Sequence, residues 1–176
     1  MKVAVLGTGM VGNALATRIA GLGHEVKVGA RGASSESLVP FGEIDGVVTS
    51  DFAGAAADAE LVINATNGMH SLEALAAAGD LGGKVVLDVA NELDASGGMP
   101  PKPLAGPDNS LGRKIQEAFP AAHVVKSLNT MNCNIMVDPS LVPGDHVVFV
   151  SGDDGGAKAL VIGLLKQFGW RDQQII

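Results

Sequence analysis

The residues best suited to chemistry are three glycines near the start of the chain, spaced as GxGxxG between an apolar run and a stretch with helical periodicity. In such a turn the first glycine permits a tight bend, the second lets a pyrophosphate approach the backbone, and the third allows close helix-strand packing. The anion then meets unpaired N–H groups at the positive end of the helix dipole. The alternatives are a purely structural turn or another adenosine ligand, such as the methyl donor of methyltransferases. The pattern predicts dinucleotide binding by Gly7, Thr8, Gly9, Met10, Val11 and Gly12.

The end of the second predicted strand indicates which dinucleotide binds. NAD-binding proteins place an Asp or Glu there, roughly 20 residues after the glycines, to accept hydrogen bonds from the ribose hydroxyls. Here the run is Val28-Gly29-Ala30-Arg31-Gly32, which carries a guanidinium and no carboxylate. A guanidinium forms paired, charge-assisted hydrogen bonds to phosphate oxygens. Arg31 therefore predicts NADP(H), with Thr8, Ser34 and Ser35 as nearby hydroxyl donors. A solvated surface arginine is the alternative.

Three further predicted strands end in small polar residues. The carboxyl ends of parallel strands meet at one edge of a sheet, where open α/β folds bind ligands. Three such ends in line predict a hydride-transfer pocket around a nicotinamide. For any one of them, ordinary strand-to-loop hydrogen bonding by Asn and Thr is the alternative. The residues are Ala65, Thr66 and Asn67, then Ala90 and Asn91, then Asn129, Thr130 and Met131.

Acid-base and nucleophilic groups are few near these strand ends. His70, at the start of a predicted helix, is a candidate cofactor-binding residue, with a surface or capping role as the alternative. For Lys126 an ion pair with a carboxylate such as Asp88, a stem extended to solvent and proton transfer all stay open. Cys133 has no adjacent base, so we expect a small packed residue. The sequence shows no clustered metal ligands, and hydride transfer between two cofactors needs none, because the cofactors carry the chemistry.

The elements that must position these residues follow a regular alternation. Strands that are apolar on both faces and alternate with amphipathic helices imply a mostly parallel sheet covered on both sides. The predicted fold class is therefore α/β, a doubly wound, Rossmann-type dinucleotide-binding domain over residues 1–176. The predicted strands are Val3 to Leu6, Glu25 to Val28, Val47 to Thr49, Leu61 to Asn64, Val85 to Asp88, His123 to Leu128, His146 to Val150 and Gln173 to Ile176, and the predicted helices cover 11–22, 51–57, 71–78, 111–119 and 157–168.

The segment 91–109 departs from this alternation. It holds four of the eight prolines together with Gly97, Gly98 and Gly106. Proline removes backbone donors and glycine weakens regular elements, so we expect an irregular loop. A loop of this length in a compact domain is usually functional or disordered. It follows a strand end, and we expect either a cover over the ligand crevice or a solvated insertion.

Composition excludes several other classes. A chain of 176 residues and 17.8 kDa favours one domain. A net charge of −7 and a pI near 4.9 argue against nucleic-acid or anionic-membrane partners. No apolar run in the sequence approaches the roughly 20 residues of a membrane helix. The single cysteine suits a reducing cytoplasm, and the first residues leave no room for a signal peptide, so we expect a cytoplasmic protein.

Three blocks of the sequence resemble the NADPH-dependent reductases of the deazaflavin coenzyme F420. They are GTGMVGNALATRIAGLGHEVKVGAR at 7–31, HVVKSLNTMNCNIM at 123–136 and GDHVVFVSGDDGGAKALVIGLLKQFGW at 144–170. The sequence also resembles, more distantly, the NADPH-binding domains of membrane ferric reductases. The resemblance implies that Thr8, Ala30 and Arg31 hold the 2′-phosphate. It also implies that Asn129-Thr130-Met131 lies beside the nicotinamide and the deazaflavin ring, and that the protein forms a homodimer.

Some positions depart from the family pattern. Ala30 replaces a frequent serine, which removes a hydroxyl from the phosphate site, and Asn129 and Met131 replace a histidine and an isoleucine. A flavin, quinone or iron-chelate acceptor therefore stays open beside F420. The resemblance implies an NADP(H)-dependent oxidoreductase that transfers hydride between NADPH and a small F420-like or flavin-like redox acceptor. The alternatives are an NADPH-dependent dehydrogenase of a small hydroxy acid or imine, and a non-catalytic NADP(H) sensor.

Overall fold

The computed structural model describes residues 1–104, 106 and 109–176. Its strands are β1 (Lys2–Leu6), β2 (Glu25–Ala30), β3 (Val47–Asp51), β4 (Leu61–Asn64), β5 (Val85–Asp88), β6 (Leu93–Asp94), β7 (Lys102–Pro103), β8 (His123–Ser127) and β9 (Val150–Ser151). The α-helices are α1 (Met10–Gly21), α2 (Phe52–Ala56), α3 (Ser71–Ala77), α4 (Leu111–Ala118), α5 (Cys133–Val137) and α6 (Gly155–Phe168). Four 3-10 helices cover Glu36–Glu43, Gly68–His70, Pro139–Leu141 and Asp172–Gln174.

Seven strands form one sheet in the order β3-β2-β1-β4-β5-β8-β9. The first six pair in parallel, and β9 pairs antiparallel with β8. The chain moves outward from β1 to β3 on one side and then returns to β4 on the other. The predicted doubly wound, mostly parallel Rossmann-type α/β fold is confirmed. Its topological switch lies between β1 and β4, where such sheets bind ligands.

The central strands β1, β4 and β5 are apolar on both faces, and alternate residues of β1 enter different cores. In β1, Val3 and Val5 pack with Leu15 and Ile19 of α1. Ala4 and Leu6 pack instead with the second core, to which Leu75 of α3 and Ile115 of α4 belong. The helices thus hold β1 from both sides and fix the direction in which its carboxyl end points.

The last third of the chain differs from the predicted strands. In place of a strand from His146 to Val150, Val148 makes an isolated bridge to Ile175, and only β9 is regular. In place of a strand from Gln173 to Ile176, a 3-10 helix closes the turn. The reason is a local cap, because the buried Gln174 amide oxygen accepts from both the backbone N–H and the Nε of Arg171. The predictions of two continuous strands were wrong.

Part of the predicted irregular segment 91–109 is regular. Strands β6 and β7 form a short antiparallel ribbon with Leu93 opposite Pro103. Pro103 tolerates this position because a two-stranded ribbon has open edges that need no N–H from it. Ala105, Pro107 and Asp108 of the same segment lie outside the described residues. Helix α5 and the 3-10 helix Glu36–Glu43 were not predicted.

Candidate functional site

The turn between β1 and α1 needs glycine at two of its positions for steric reasons. Gly7 has φ +118°, and its N–H donates to the carbonyl of Gly29 at 3.0 Å, which ties the end of β1 to β2. A Cβ on Gly7 would lie 2.5 Å from the carbonyl oxygen of Ala65. A Cβ on Gly12 would lie 2.1 Å from the carbonyl oxygen of Gly7. The turn is therefore compressed between β4 and the first turn of α1.

Gly9 differs from the other two glycines because open space surrounds it. A Cβ built there meets no other atom within 4 Å. Gly9 is the N-cap of α1 and provides no side-chain cap. The N-terminus of this twelve-residue helix therefore presents backbone N–H groups to an open crevice. This arrangement fits a pyrophosphate, whose oxygens would occupy the volume that a side chain would fill.

A first cleft of about 660 Å³ opens above this turn, between the ends of β2 and β4. Arg31 is exposed and lines the cleft, so its guanidinium can reach a ligand there. Ser34 is exposed too but is not one of the residues that line the cleft. The predicted residues that the first cleft brings together are Gly7, Thr8, Gly9, Ala30, Arg31, Ser35, Ala65, Thr66, Asn67 and His70.

Five residues of the first cleft escaped the sequence analysis, and they are Ser37, Phe52, Glu73, Ala74 and Ala77. Ser37 places its hydroxyl 2.9 Å from that of Ser35, and both line the cleft near Arg31. Phe52 and Glu73 line the same cleft, and His70 Nδ1 lies 3.7 Å from Glu73 Oε2. The spacing of His70 and Glu73 on one helical turn was a usable signal. No sequence signal pointed to Ser37, because its placement depends on a 3-10 helix that hydrophobic periodicity does not predict.

A second cleft of about 690 Å³ lies on the other side of the turn, between α1 and α5. Met10 lines it with 82% of its surface exposed. Cys133 lines it from α5 while packing partly against the core, which agrees with the packed residue that the sequence favours. Of the other predicted turn residues, Val11 is half-buried and Gly12 is buried beneath the turn.

The ends of β4 and β5 carry a buried polar network. Asn64 and Asp88 are both fully buried. The Asn64 amide donates to Asp88 at 2.9 Å and to the Ser71 hydroxyl at 2.8 Å, and the Thr66 hydroxyl donates to Asn64 Oδ1 at 2.6 Å. Lys126 forms an ion pair with Asp88 at 2.8 Å, one of the arrangements expected for it. The strand ends are thus fixed by hydrogen bonds before any ligand binds.

The ends of β5 and β8 meet through a pair of asparagines. The Asn91 amide donates to the carbonyl of Asn129 at 2.7 Å, and the Asn129 amide donates to Asn91 Oδ1 at 3.1 Å. Leu128, immediately before Asn129, has φ +64°, which is rare for a bulky residue. This bend directs the chain away from the sheet, leaving Thr130 exposed and Met131 partly packed on the core. The structure therefore brings together Asn91 and Asn129 of the predicted pocket.

Within residues 1–104, 106 and 109–176, no three His, Cys, Asp or Glu side chains come together as a metal site requires. No helix in the described part of the chain has the length and apolar character needed to cross a bilayer.

Comparison with known proteins identifies related chains. Residues 2–92 match the family described as NADP oxidoreductase, coenzyme F420-dependent. The crystal structure of a proposed F420-dependent NADP reductase from Arthrobacter sp. FB24 is 49% identical, with a TM-score of 0.92, over 100% of this chain and 83% of that one. The resemblance that the three sequence blocks indicate is confirmed.

Two more distant relatives are longer proteins. Metalloreductase STEAP3 of Rattus norvegicus is 27% identical over 170 residues, which are 96% of this chain and 32% of that protein. This chain therefore spans about a third of that curated relative. A reductive aminase from Aspergillus terreus, solved with NADPH4, cyclohexanone and allyl amine, is 21% identical with a TM-score of 0.67, over 93% of this chain and 52% of that one. The likeness to the aminase concerns the fold.

Proposed function

Because the chain belongs to the family of coenzyme F420-dependent NADP oxidoreductases, we propose that it transfers hydride between NADPH and a deazaflavin or flavin-like acceptor. The observation that carries the coenzyme half of this proposal is the first cleft. There an exposed guanidinium, Arg31, stands where NAD-binding proteins place a carboxylate, beside the open N-terminus of α1. Cationic recognition of the extra phosphate distinguishes NADP(H) from NAD(H).

In this proposal, different residues of the first cleft bind different parts of the coenzyme. Backbone N–H groups at Gly9 and the start of α1 bind the pyrophosphate, where the helix dipole favours an anion. Arg31 and the hydroxyls of Ser35 and Ser37 bind the 2′-phosphate. The Ser35–Ser37 pair replaces the hydroxyl that Ala30 lacks. His70 lines the same cleft and is a candidate contact for the coenzyme.

The nicotinamide half extends toward the ends of β4, β5 and β8. The segments Ala65 to Asn67, Ala90 to Asn91 and Asn129 to Met131 shape its pocket, and the buried network below them holds their backbone in place. When bound, NADPH supplies the hydride from its nicotinamide ring. The protein contributes orientation and exclusion of water, which suits a site with few acid-base groups.

The acceptor occupies the second cleft in this proposal. It borders the same glycine turn, and its walls combine Met10 with Cys133 and polar residues of α5. Apolar side chains combined with polar groups that fix orientation are typical of small-molecule sites. The family description supports F420, and the metalloreductase relative supports a metal acceptor as the alternative.

We infer that residues 1–176 act as a single dinucleotide-binding domain, in the cytoplasm and as a homodimer. The single cysteine supports the location, and the family resemblance supports the dimer. Light scattering of the purified protein gives the molar mass directly, and a mass near 17.8 kDa would contradict the dimer.

Coenzyme choice is tested by substituting the proposed phosphate ligand. Arg31→Ala removes charge-assisted hydrogen bonds and should raise the Kd for NADPH by about 10- to 100-fold, leaving the Kd for NADH within about twofold. Titration of nicotinamide fluorescence measures both constants. Arg113→Ala changes an exposed arginine on α4 and serves as the matched control. A wild-type protein that binds NADH as tightly as NADPH would contradict the assignment.

The acceptor is tested by turnover. The protein is mixed with NADPH and, separately, with F420, FMN, ferric chelates and a cyclic imine, and the loss of nicotinamide absorbance is followed. We expect the fastest loss with F420 or FMN. Turnover with the imine alone would favour the dehydrogenase alternative, and tight NADPH binding without turnover of any acceptor would favour a sensor.

A further inference from the structure

An ion pair between the buried Asp88 and the partly exposed Lys126 joins the carboxyl ends of β5 and β8. Asp88 is fully buried and stands opposite Lys126 in the register of the two strands. The Lys126 ammonium lies 2.8 Å from Asp88 Oδ2, while Oδ1 accepts from the Asn64 amide at 2.9 Å and from the N–H of Ala90 at 3.1 Å. Burying a charge is costly, and well-packed apolar residues often hold strands together at least as well. The pair therefore needs a reason other than cohesion of the sheet.

The pair holds the peptide groups of one residue from both sides. The N–H of Ala90 donates to Asp88, and the carbonyl of Ala90 accepts from the Lys126 ammonium. The next residue is Asn91, whose amide is engaged with Asn129. A path of hydrogen bonds, with the covalent link from Ala90 to Asn91 in its middle, thus leads from the buried carboxylate to the asparagine pair at the edge of the sheet.

The loop around Asn91 is also confined from the side of β4. A Cβ on Gly68 would lie 2.2 Å from the carbonyl oxygen of Asn91, so the backbones of the two loops touch. The stem of Lys126 passes close to α4, where a Cβ on Gly112 would lie 3.6 Å from Lys126 Cβ. The ammonium is therefore held on a supported stem, with 24% of the Lys126 side chain exposed.

We propose that Asp88 and Lys126 are positioning residues for the nicotinamide half of the coenzyme. This proposal rests on the proposed function, which brings the nicotinamide to the ends of β5 and β8. The ion pair fixes the Ala90 peptide, the peptide fixes Asn91, and the Asn91–Asn129 pair meets the ligand as a rigid surface. Asp88 itself lies beneath that surface and touches no ligand.

The two halves of the coenzyme separate this role from a merely structural one. Adenosine 2′,5′-bisphosphate carries the adenosine and the 2′-phosphate but has no nicotinamide. A positioning role affects binding of NADPH and leaves binding of the bisphosphate unchanged. A general loosening of the fold would weaken both ligands together, since both need the glycine turn and Arg31.

The decisive variant is Lys126→Met, which keeps the length of the stem and removes the ammonium. We expect the Kd for NADPH to rise about tenfold, the effect of losing one well-aligned hydrogen-bonded contact, and the Kd for the bisphosphate to stay within about twofold. Lys126→Arg retains a cation with several donors and should recover most of the NADPH affinity. Lys27→Met removes the ion pair with Asp58 at the other end of the sheet and is the matched control.

The outcomes are distinct. If Lys126→Met weakens the binding of NADPH and of the bisphosphate equally, or changes neither, the positioning role is overturned. The proposed function still stands in that case, because the wild-type protein binds both ligands. A wild-type protein that binds neither ligand would overturn the proposed function and this inference with it. If Lys126→Met does not fold, Asn91→Ala tests the exposed end of the same path. Selective loss of NADPH affinity there supports the role, and an unchanged NADPH affinity overturns it.

Discussion

The three glycines of the turn share a motif but meet different surroundings. Gly7 and Gly12 face backbone atoms closer than any Cβ contact tolerates, whereas Gly9 faces open space. Two of the glycines are therefore required by the fold, and the third is required only by what the crevice binds. The sequence pattern alone treats all three alike, because it carries no information about which side of the backbone is occupied.

Alanine substitutions should separate these two requirements. Gly12→Ala forces the backbone of the turn apart and should lower the free energy of unfolding by about 1–3 kcal/mol. Gly9→Ala should change it by less than about 1 kcal/mol, because the new methyl group meets no protein atom. Its Kd for NADPH should nevertheless rise about tenfold or more, since the methyl group takes the place of the pyrophosphate.

Thermal unfolding with and without NADPH measures both quantities. Gly21→Ala, at the exposed end of α1, is the control and should raise stability by about 0.5–1 kcal/mol. A stable Gly9→Ala protein with wild-type NADPH affinity would show that the crevice above α1 does not hold a pyrophosphate.

At the scale of the elements, the strands and helices that position the site were largely predictable. Their apolar periods are strong, as in β1, β4 and β5, so the glycine turn and Arg31 fall at the expected strand ends. The short elements were not predictable. Helix α5 has five residues and begins at a local cap, in which the Asn132 side chain accepts from the N–H of Asn134 at 2.9 Å. A cap of this kind leaves no periodic signal, and so one wall of the second cleft escaped prediction.

Helix caps also stabilise the longer elements. Helix α6 begins at Asp154, whose carboxylate accepts from the N–H of Ala157 at 2.7 Å. Asp154→Ala should lower the free energy of unfolding by about 1 kcal/mol, or about 2–4 °C in Tm for a chain of this size. Asp154→Asn retains an acceptor at the cap and should stay close to wild type in thermal unfolding. Equal losses in both variants would point to the His123 contact of Asp154 instead.

At the scale of the whole molecule, the two ends of the parallel strands carry different groups. The carboxyl ends hold the candidate site. Near the other end, Asp58 accepts from Lys2 at 3.2 Å and from Lys27 at 2.6 Å. The hydrogen bonds from Lys27 and Lys2 lower the pKa of Asp58 from 3.8 to about 2. Ion pairs at this end therefore stabilise the fold without lining either cleft.

The pKa of Asp58 predicts a pH dependence of stability. Its folded-state pKa lies below the unfolded value, so its contribution is complete above about pH 4 and is lost as the pH falls toward about 2. Asp58→Asn should lower Tm at neutral pH and flatten the dependence of Tm on pH within that window. Asp45→Asn, at an exposed aspartate before β3, is the control. Identical acid profiles for Asp58→Asn and wild type would contradict the assignment.

The polarity of the sheet also has a practical use in attaching the protein to a support. Ala121 is exposed just before β8, at the end of the sheet opposite both clefts. A cysteine there, in a chain whose Cys133 is replaced by serine, would give a single thiol for coupling to a gold electrode. Both clefts of each immobilised molecule would then be open to the solution. A layer of such molecules should bind dissolved nicotinamide coenzyme with the same affinity as the free protein.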